Sequence, residues 1–323
     1  MAITLAQAKV GMADHVDQAV IDEFRRASFI LDQLTFDNAV SPGTGGSTLT
    51  YGYTQLKTPS LAAGRAINAE YQPGEALRDK KTIDLKIFGG SFEVDRVLED
   101  TAAQSEITFQ VQQKVEATRN KFHYDFINGK STGKGNNSPF DGLDTLCTGT
   151  STEYTPEEAI DLSSAAAIKE NASAFTYELD QFLAKLDGRP DALLMNSKML
   201  AAMKFIAKES GYYTRSEDAF GNEVATYNGI PMIDMGYYFD GTNTVDCVGI
   251  EEDGTTSIYA CKFGLDAVHG VTVTGDNVIK TYLPDMTAPG AVKKGEVEMV
   301  AGIALKNSKK AGAFRNIKIG AGE

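Results

Sequence analysis

The sequence predicts an α+β fold in which a compact α/β domain is inserted into a second body. One segment, from Asp100 to Asn128, contains no Pro or Gly and carries apolar residues at helical spacing. Two alternating strands separated by a long polar stretch precede it, and alternating helices and strands follow it. Strands return at the C-terminal end, so we expect the body begun before the α/β domain to be completed after it.

Composition excludes several classes of function. The 323 residues exceed one ordinary domain, and the net charge of -13 opposes wrapping on nucleic acid or anionic lipid through a broad basic surface. The last stretch, residues 293–323, carries seven Lys or Arg against three Glu. We interpret it as a solvated strand edge or a subunit contact rather than a nucleic-acid tail.

The three cysteines, Cys147, Cys247 and Cys261, predict neither a disulfide framework nor a zinc cluster, because they are odd in number and lack CxxC spacing. Free thiols in a reducing cytoplasm are expected. No signal peptide and no apolar run of about 20 residues is present, so we expect a protein that stays soluble in the cytosol, with no membrane partner.

The N-terminal segment "MADHVDQAVIDEFRRASFIL" predicts an amphipathic helix, with Asp14 as its N-cap and apolar residues at helical spacing: Val16, Val20, Phe24 and Leu31. A flexible link, "SPGTGGST", follows it.

A long two-stranded arm is predicted next, from Leu49 to Val94. Its strands are "LTYGYTQL" and "KTIDLKIFGGSFEVDRV", and residues 57–78 between them are polar and broken by Pro and Gly. In the second strand the apolar phase changes from odd to even numbers around Gly89 and Gly90, which predicts a β-bulge at these glycines.

The segment from Asp100 to Asn128 predicts a helix of about 43 Å, at about 1.5 Å per residue. Its apolar face consists of Ile107, Val111, Val115, Phe122 and Phe126. Asn128 and Gly129 are a helix-ending signal.

The following loop, "INGKSTGKGNN", nearly satisfies two catalytic motifs. Gly129, Gly133 and Lys134 approach a phosphate-binding Walker A loop, and Gly129, Ser131 and Gly133 form a G-x-S-x-G. Both motifs require a strand before the loop, whereas a helix is predicted here. The Walker spacing is also one residue short, and Gly135 stands where Ser or Thr should bind magnesium.

The three histidines, His15, His123 and His269, lie in segments without a catalytic signature. We therefore expect a mobile surface loop and no enzyme, with no catalytic, cofactor-binding or metal-binding residues and no cofactor. A soluble hydrolase that uses the "GKSTG" loop is the alternative from another class.

The inserted domain is predicted from local signals. Helices are expected from Pro156 to Asn171 and over "TYELDQFLAKLDG", and "DALLMN" is a buried strand whose Asn196 or Ser197 caps the helix "KMLAAMKFIAKESG" ending at Gly211. "EVATYNGIPMIDM" predicts a hairpin with an Asn228-Gly229 turn, and "TVDCVGIEEDGTTSIYACKF" predicts another. The late strands, "GEVEMVAGIALKN" and "AFRNIKIG", are expected to pack beside the long helix.

This order of elements resembles the major capsid protein of tailed bacteriophages, the Hong Kong 97-type fold shared with encapsulin shells. The matching segments are "LTYGYTQL" with "IDLKIFGGSFEVDRVL", "FINGKSTGKGNNSPFDGLDTL", "PDALLMNSKMLAAMKFIA" and "EVATYNGIPMID". The resemblance implies an N-terminal arm (1–46), an extended loop (47–95), a peripheral domain with a spine helix (96–150 and 276–323) and an axial domain (151–275).

The resemblance also implies the function. Subunits would assemble as pentamers and hexamers into an icosahedral virion shell that encloses double-stranded DNA without sequence-specific binding, built in the host cytoplasm. Portal and decoration proteins are implied partners, and a separate scaffolding protein is expected because the arm begins close to Met1. An encapsulin-type compartment is the alternative with the same fold, and a tail-tube protein is a weaker third.

Some members of the family cross-link a lysine of the extended loop to an asparagine of a neighbour. Lys57, Lys80 and Lys81 lie in the corresponding region, and Asn307 and Asn316 lie late in the chain. Because exposed Lys and Asn are common, we expect no cross-link here.

Overall fold

The computed structural model describes residues 28–40, 46, 48–71, 73–101, 105–131, 139–209, 214–217, 223–273 and 278–320. The described α-helices are α1 (Phe29–Gln33), α2 (Arg96–Thr101), α3 (Glu106–Asn128), α4 (Leu143–Cys147), α5 (Ala165–Ala184) and α6 (Ser197–Glu209). The predicted N-terminal helix lies almost entirely outside the described residues, as does the link after it. None of the described helices is long and apolar enough to cross a membrane.

The strands of the first half are β1 (Phe36–Ala39), β2 (Thr50–Thr58), β3 (Leu77–Asp84), β4 (Lys86–Asp95), β5 (Glu153–Tyr154), β6 (Ile160–Asp161), β7 (Ala192–Met195) and β8 (Thr214–Glu217). Those of the second half are β9 (Glu223–Tyr227), β10 (Ile230–Asp234), β11 (Tyr237–Phe239), β12 (Thr244–Asp246), β13 (Thr255–Cys261), β14 (Val268–Val273), β15 (Ile279–Tyr282), β16 (Val292–Leu305) and β17 (Ala311–Lys318).

The body sheet is organised around β16. This strand pairs antiparallel with β4, β14 and β15, and β1 extends the sheet by pairing parallel to β14. Helix α3 packs against β4 and β16. The long helix and the late strand β16 therefore form one body, as predicted.

A second sheet, with strand order β5-β17-β13-β7-β10-β9-β8, forms the α/β part. Residues of one face, including Leu193, Ile258 and Phe314, pack in a core with α5 and α6. Residues of the other face, including Leu194 and Tyr259, join the core that contains α3. The two sheets therefore share a core between them.

Helix α3 is shorter than predicted. It begins at Glu106 rather than Asp100, because Ser105 caps it by accepting a hydrogen bond from the Thr108 N–H at 3.2 Å. Residues 96–101 form the separate helix α2. The predicted apolar face is confirmed, since Val111, Val115, Phe122 and Phe126 are buried.

The predicted β-bulge at Gly89 and Gly90 is wrong. Strand β4 pairs with β16 in unbroken register from Lys86 opposite Ala301 to Asp95 opposite Val292. The buried face changes at Leu85, where the chain leaves its pairing with β2 and joins β16, and the next odd-numbered apolar residue, Ile87, is exposed. The paired part of the arm is accordingly β2 and β3, and β4 belongs to the body sheet.

The α/β part differs from the prediction in three places. Helix α5 is one helix beginning at Ala165, not two, and Pro156 lies in the segment before it. Strand β12 pairs with β11, not β13, which instead lies between β7 and β17. Strand β17 therefore pairs in the α/β sheet and not in the body sheet, although its Ala311 and Ala313 join the core that contains α3. Long-range pairing decides the sheet, and local periodicity cannot reveal it.

Other local predictions are confirmed. Strand β7 is fully buried, and the Asn196 side chain caps α6 by accepting from the Met199 N–H at 2.8 Å. Asn228 and Gly229 form the turn between β9 and β10 with φ angles of 48° and 73°. The predicted end of α6 at Gly211 lies outside the described residues.

Replacement of Gly89 by Ala should destabilise the body sheet by about 2 kcal/mol or more. A Cβ at Gly89 would lie 2.0 Å from the Val297 carbonyl oxygen, and the φ angle there is +155°. Gly64→Ala is the matched control, because a Cβ there meets nothing within 4 Å. Urea unfolding would measure both variants, and equal stabilities would contradict the close approach of β4 to β16.

Candidate functional site

The tip of the arm, residues 59–76, exposes apolar side chains that nothing in the described chain covers. Leu61 is 78%, Ile67 91% and Tyr71 64% exposed. Arg65 lies 5.3 Å from the centre of the Tyr71 ring and donates to the Ala69 carbonyl at 3.3 Å. These local contacts shape the tip without burying it, so it presents an apolar surface to water.

The stem of the arm is an antiparallel pair that runs from Thr50 opposite Asp84 to Thr58 opposite Leu77, with one register shift between Leu56 and Thr58. Its base is seated on the outer face of the body sheet, where Tyr53 and Leu85 are buried against Val271 and Ala304. Gly302 permits this seating, since a Cβ there would lie 3.2 Å from the Ile83 side chain.

A hydrogen bond adds to this packing, because the Gln55 side-chain amide donates to the Leu305 carbonyl of the body at 2.7 Å. Within the arm, the Leu85 N–H donates to the Leu49 carbonyl at 2.7 Å and extends the pairing of its two strands. One end of the arm is therefore fixed to the body, while its other end is exposed.

A polar cluster, formed by Asp37, Tyr51, His269 and Lys306, lies at the arm base. The Tyr51 hydroxyl donates to Asp37 Oδ2 at 2.7 Å, and Lys306 Nζ lies 4.0 Å from the same oxygen and 5.6 Å from the Tyr51 ring centre. The His269 ring meets the Tyr51 ring edge-on at 5.9 Å. The cluster thus joins one strand of the arm to three parts of the body.

The electrostatics of this base cluster follow from its burial. Burial and the hydrogen bond to Asp37 raise the pKa of Tyr51, so its hydroxyl stays protonated. Burial works to raise the pKa of Asp37, but the hydrogen bonds from Tyr51 and Asn38 outweigh it and leave that pKa below its ordinary value. Burial, with Lys306 adding to it, lowers the pKa of His269.

His269 is fully buried, yet neither of its ring nitrogens makes a hydrogen bond within ordinary distance and angle limits in the described part of the chain. A buried polar group in this condition is uncommon and costs free energy. The residues of this cluster come from distant parts of the sequence, so no local spacing could have predicted it.

The loop with the catalytic motifs follows a helix, as predicted. Gly129 ends α3, where its N–H donates to the Asp125 carbonyl at 2.9 Å and a Cβ would lie 2.1 Å from the Phe140 carbonyl oxygen. The Ser131 N–H donates to Asp141 Oδ1 at 2.7 Å. Gly133, Lys134 and Gly135 lie outside the described residues.

Neither described histidine makes a hydrogen bond to Ser131. His123 Nε2 lies 2.6 Å from Ser28 Oγ, and burial, with Arg119 adding to it, lowers the pKa of His123 to about 3. His269 lies at the arm base, and His15 lies outside the described residues. Among the described residues no group of three or more His, Cys, Asp or Glu side chains could hold a metal ion.

The three cysteines are free and buried, which confirms the prediction of free thiols. Burial raises the pKa of Cys147 and of Cys247 to about 12, and raises the pKa of Cys261 as well. Thiols held in their protonated form are poor nucleophiles and metal ligands.

The basic C-terminal stretch contains ion pairs within the chain. The Arg315 guanidinium donates to Glu153 Oε1 and to Asp144 Oδ1, each at 2.6 Å, and the Tyr259 hydroxyl donates to Asp144 as well. Lys310 pairs with Asp266, and Lys294 pairs with Glu296 at 2.6 Å. Much of its positive charge is thus neutralised locally.

The two candidate cross-linking asparagines have partners within the chain. The Asn307 amide donates to Asp187 Oδ2 at 3.3 Å, and the Asn316 amide donates to the Pro156 carbonyl at 3.1 Å. Lys80 and Lys81 are exposed on β3. The side chain of Lys57 lies outside the described part, and the absence of a cross-link stays a prediction.

Comparison with known proteins gives no match to a family model and none to a curated sequence. Solved structures match over nearly the whole chain. The holo-SrpI encapsulin complex from Synechococcus elongatus PCC 7942 is 14% identical, with a TM-score of 0.63 over 91% of this chain and 89% of that one. The fold is that of the Hong Kong 97-type shell proteins.

Two capsid structures support the same fold. The capsid of a native GTA particle is 13% identical, with a TM-score of 0.54 over 89% of each chain. The mature capsid of bacteriophage PhiM1 is 10% identical, with a TM-score of 0.53 over 89% of this chain and 86% of that one. The fold class predicted from the sequence is thus confirmed at identities too low for sequence comparison.

Replacement of Arg315 by Met should lower the free energy of unfolding by about 2 kcal/mol, because Asp144 and Glu153 would lose a partly buried cation. Lys318→Met is the control, since Lys318 lies exposed at the end of the same strand. Urea denaturation at pH 7 would measure both. A loss no larger for Arg315 than for Lys318 would show that the ion pairs contribute nothing beyond surface charge.

Proposed function

We propose that this chain is the structural subunit of an icosahedral shell, assembled from pentamers and hexamers, and that the shell is the capsid of a tailed-phage virion. The observation that carries the proposal is the arm: its base is fixed in a small core, while its tip exposes Leu61, Ile67 and Tyr71. The Hong Kong 97-type fold supports it.

The tip requires a second copy of the chain as its cover. Full burial of one large apolar side chain contributes about 1.5–3 kcal/mol, so burying the tip contributes several kcal/mol per subunit contact. A single subunit cannot bury its own tip, because the stem and base hold the arm on the body sheet. Association through many such contacts makes assembly depend steeply on subunit concentration.

The four segments implied by the resemblance keep their proposed roles, adjusted for the strand pairings. The N-terminal arm (1–46), extended loop (47–95), peripheral domain (96–150 and 276–323) and axial domain (151–275) make up the subunit. Strands β1, β4 and β14 lie with the peripheral sheet, and β17 lies with the axial sheet. The axial part would surround the five-fold and six-fold axes.

The enclosed material is proposed to be double-stranded DNA, held without sequence-specific binding. A net charge of -13 on each subunit favours an inner shell surface that does not bind the negatively charged DNA tightly. Portal, scaffolding and decoration proteins are the proposed partners, with assembly in the host cytoplasm. An encapsulin-type compartment would instead hold protein cargo, and nuclease-resistant DNA in purified particles would distinguish the two.

We also propose that the chain is not an enzyme. The loop with the "GKSTG" sequence follows α3, and no described histidine is hydrogen-bonded to its Ser131. If purified protein showed hydrolase turnover that Ser131→Ala or Lys134→Ala abolished, this alternative would replace the structural role.

Combined replacement of Leu61, Ile67 and Tyr71 by Ser should abolish shell formation and leave the fold of the subunit intact. The reason is that these side chains are exposed in the subunit and would be covered only in the assembly. Sedimentation and electron microscopy would measure assembly, and circular dichroism with urea unfolding would measure the fold.

Glu75→Gln is the control for this triple variant, because it changes an exposed polar residue of the same tip. It should assemble as the unmodified chain does. Closed shells from the triple variant, at the concentration at which the unmodified chain assembles, would refute the role of the tip.

A further inference from the structure

The unpartnered His269 at the arm base suggests a device that the proposed shell function does not itself require. We propose that His269, with Tyr51, Asp37 and Lys306, forms an acid-sensitive latch that holds the arm on the body near neutral pH and releases it when His269 is protonated.

The closed latch depends on a neutral imidazole. The His269 ring is fully buried and meets the arm through an edge-on contact with the Tyr51 ring at 5.9 Å. A neutral ring tolerates this apolar setting at the cost of its missing hydrogen bonds. A charged ring would be buried without a hydrogen bond of ordinary geometry, and the Ala267 backbone and Asp37 would offset only part of that cost.

The charged and titratable groups around His269 come from each element packed at this site. Asp37 lies on β1, Tyr51 and Tyr53 lie on β2, and Lys306 directly follows β16. The positive charge of Lys306 opposes protonation of His269, whereas Asp37 and the Ala267 backbone favour it. The two tyrosines stay neutral because their pKa values are raised.

In the closed state Asp37 is not free to pair with a charged His269, because it accepts the Tyr51 hydroxyl at 2.7 Å and lies 4.0 Å from Lys306. Release of Tyr51 would remove that hydrogen bond and would open the ring of His269 to water. The released state therefore offers a protonated His269 both an anion and solvent, which the closed state does not.

The direction of the pH dependence follows from this difference. The closed state lowers the pKa of His269 below its ordinary value of 6.5, while the released state leaves it near that value. Protons therefore bind the released state more tightly, and acid favours release. The ratio of released to closed arms should rise as pH falls below about 6.5, by at most about tenfold per pH unit for one proton.

The test is a distance measurement between two spin labels in the dilute, unassembled chain. Labels at Thr58→Cys on the arm and Glu93→Cys on the body occupy exposed positions, and the described native cysteines are buried. Pulsed electron spin resonance should give one narrow distance population at pH 7.5 and a second, different population at pH 5.0.

Two variants identify the responsible residue. His269→Phe keeps a ring of similar size against Tyr51 but takes up no proton, so its distances at pH 5.0 should equal those at pH 7.5. His123→Gln changes the other described histidine, which is partly buried and lies 2.6 Å from Ser28 Oγ, and should keep the response of the unmodified chain.

A third variant keeps the proposal testable if His269→Phe fails to fold. Lys306→Gln removes the charge that opposes protonation and also the contact with the Tyr51 ring, so release should begin at higher pH. Unchanged distances in the unmodified chain at pH 5.0, with its circular dichroism intact, would overturn the latch. An equal acid response in His269→Phe would overturn it too, and neither result would bear on shell formation, because the chain is measured before assembly.

Discussion

The structure depends on one strand that must bury both of its faces. In the first half of β16 buried and less buried residues alternate, but from Ala301 to Leu305 every residue is buried. One face, with Val297, Met299 and Ile303, packs in the core that contains α3. The other face carries Gly302 and Ala304, whose small size lets the arm base pack directly on the sheet.

This constraint accounts for the shape of the subunit. Because β16 pairs with β4, β14 and β15, it joins the segments before and after the α/β part in one sheet. Because its outer face needs a cover, the arm base is held there, and the chain beyond it is directed away from the body. The packing that fixes the base also leaves the apolar tip exposed. The subunit therefore has a folded core but also an uncovered apolar surface.

The base of the arm is fixed to the body, whereas its tip is exposed. A protein that assembles through its arm requires this difference. A fixed base limits the directions in which the tip can search, which lowers the entropy lost when the tip binds a neighbour. The base cluster adds polar contacts to the otherwise apolar packing between the arm base and the body sheet. His269 is the least satisfied of its members, so it is the point at which a change of charge would act most strongly.

Features set by neighbouring residues were predictable from the sequence, and features set by distant pairing were not. The buried face of α3, the strand β7, the Asn196 cap and the Asn228-Gly229 turn each rest on residues a few positions apart. The division of the arm at Leu85 and the move of β17 into the α/β sheet rest on partners far along the chain. The same holds for the cluster of Asp37, Tyr51, His269 and Lys306.

The most direct test of this account is hydrogen–deuterium exchange of the free subunit compared with sedimented assemblies at the same pH. Residues 59–76 of the arm tip should exchange freely in the subunit and be protected in the assembly, while β16 is protected in both. Tip amides that exchange at the same rate in both samples would contradict the claim that a neighbouring copy covers the arm.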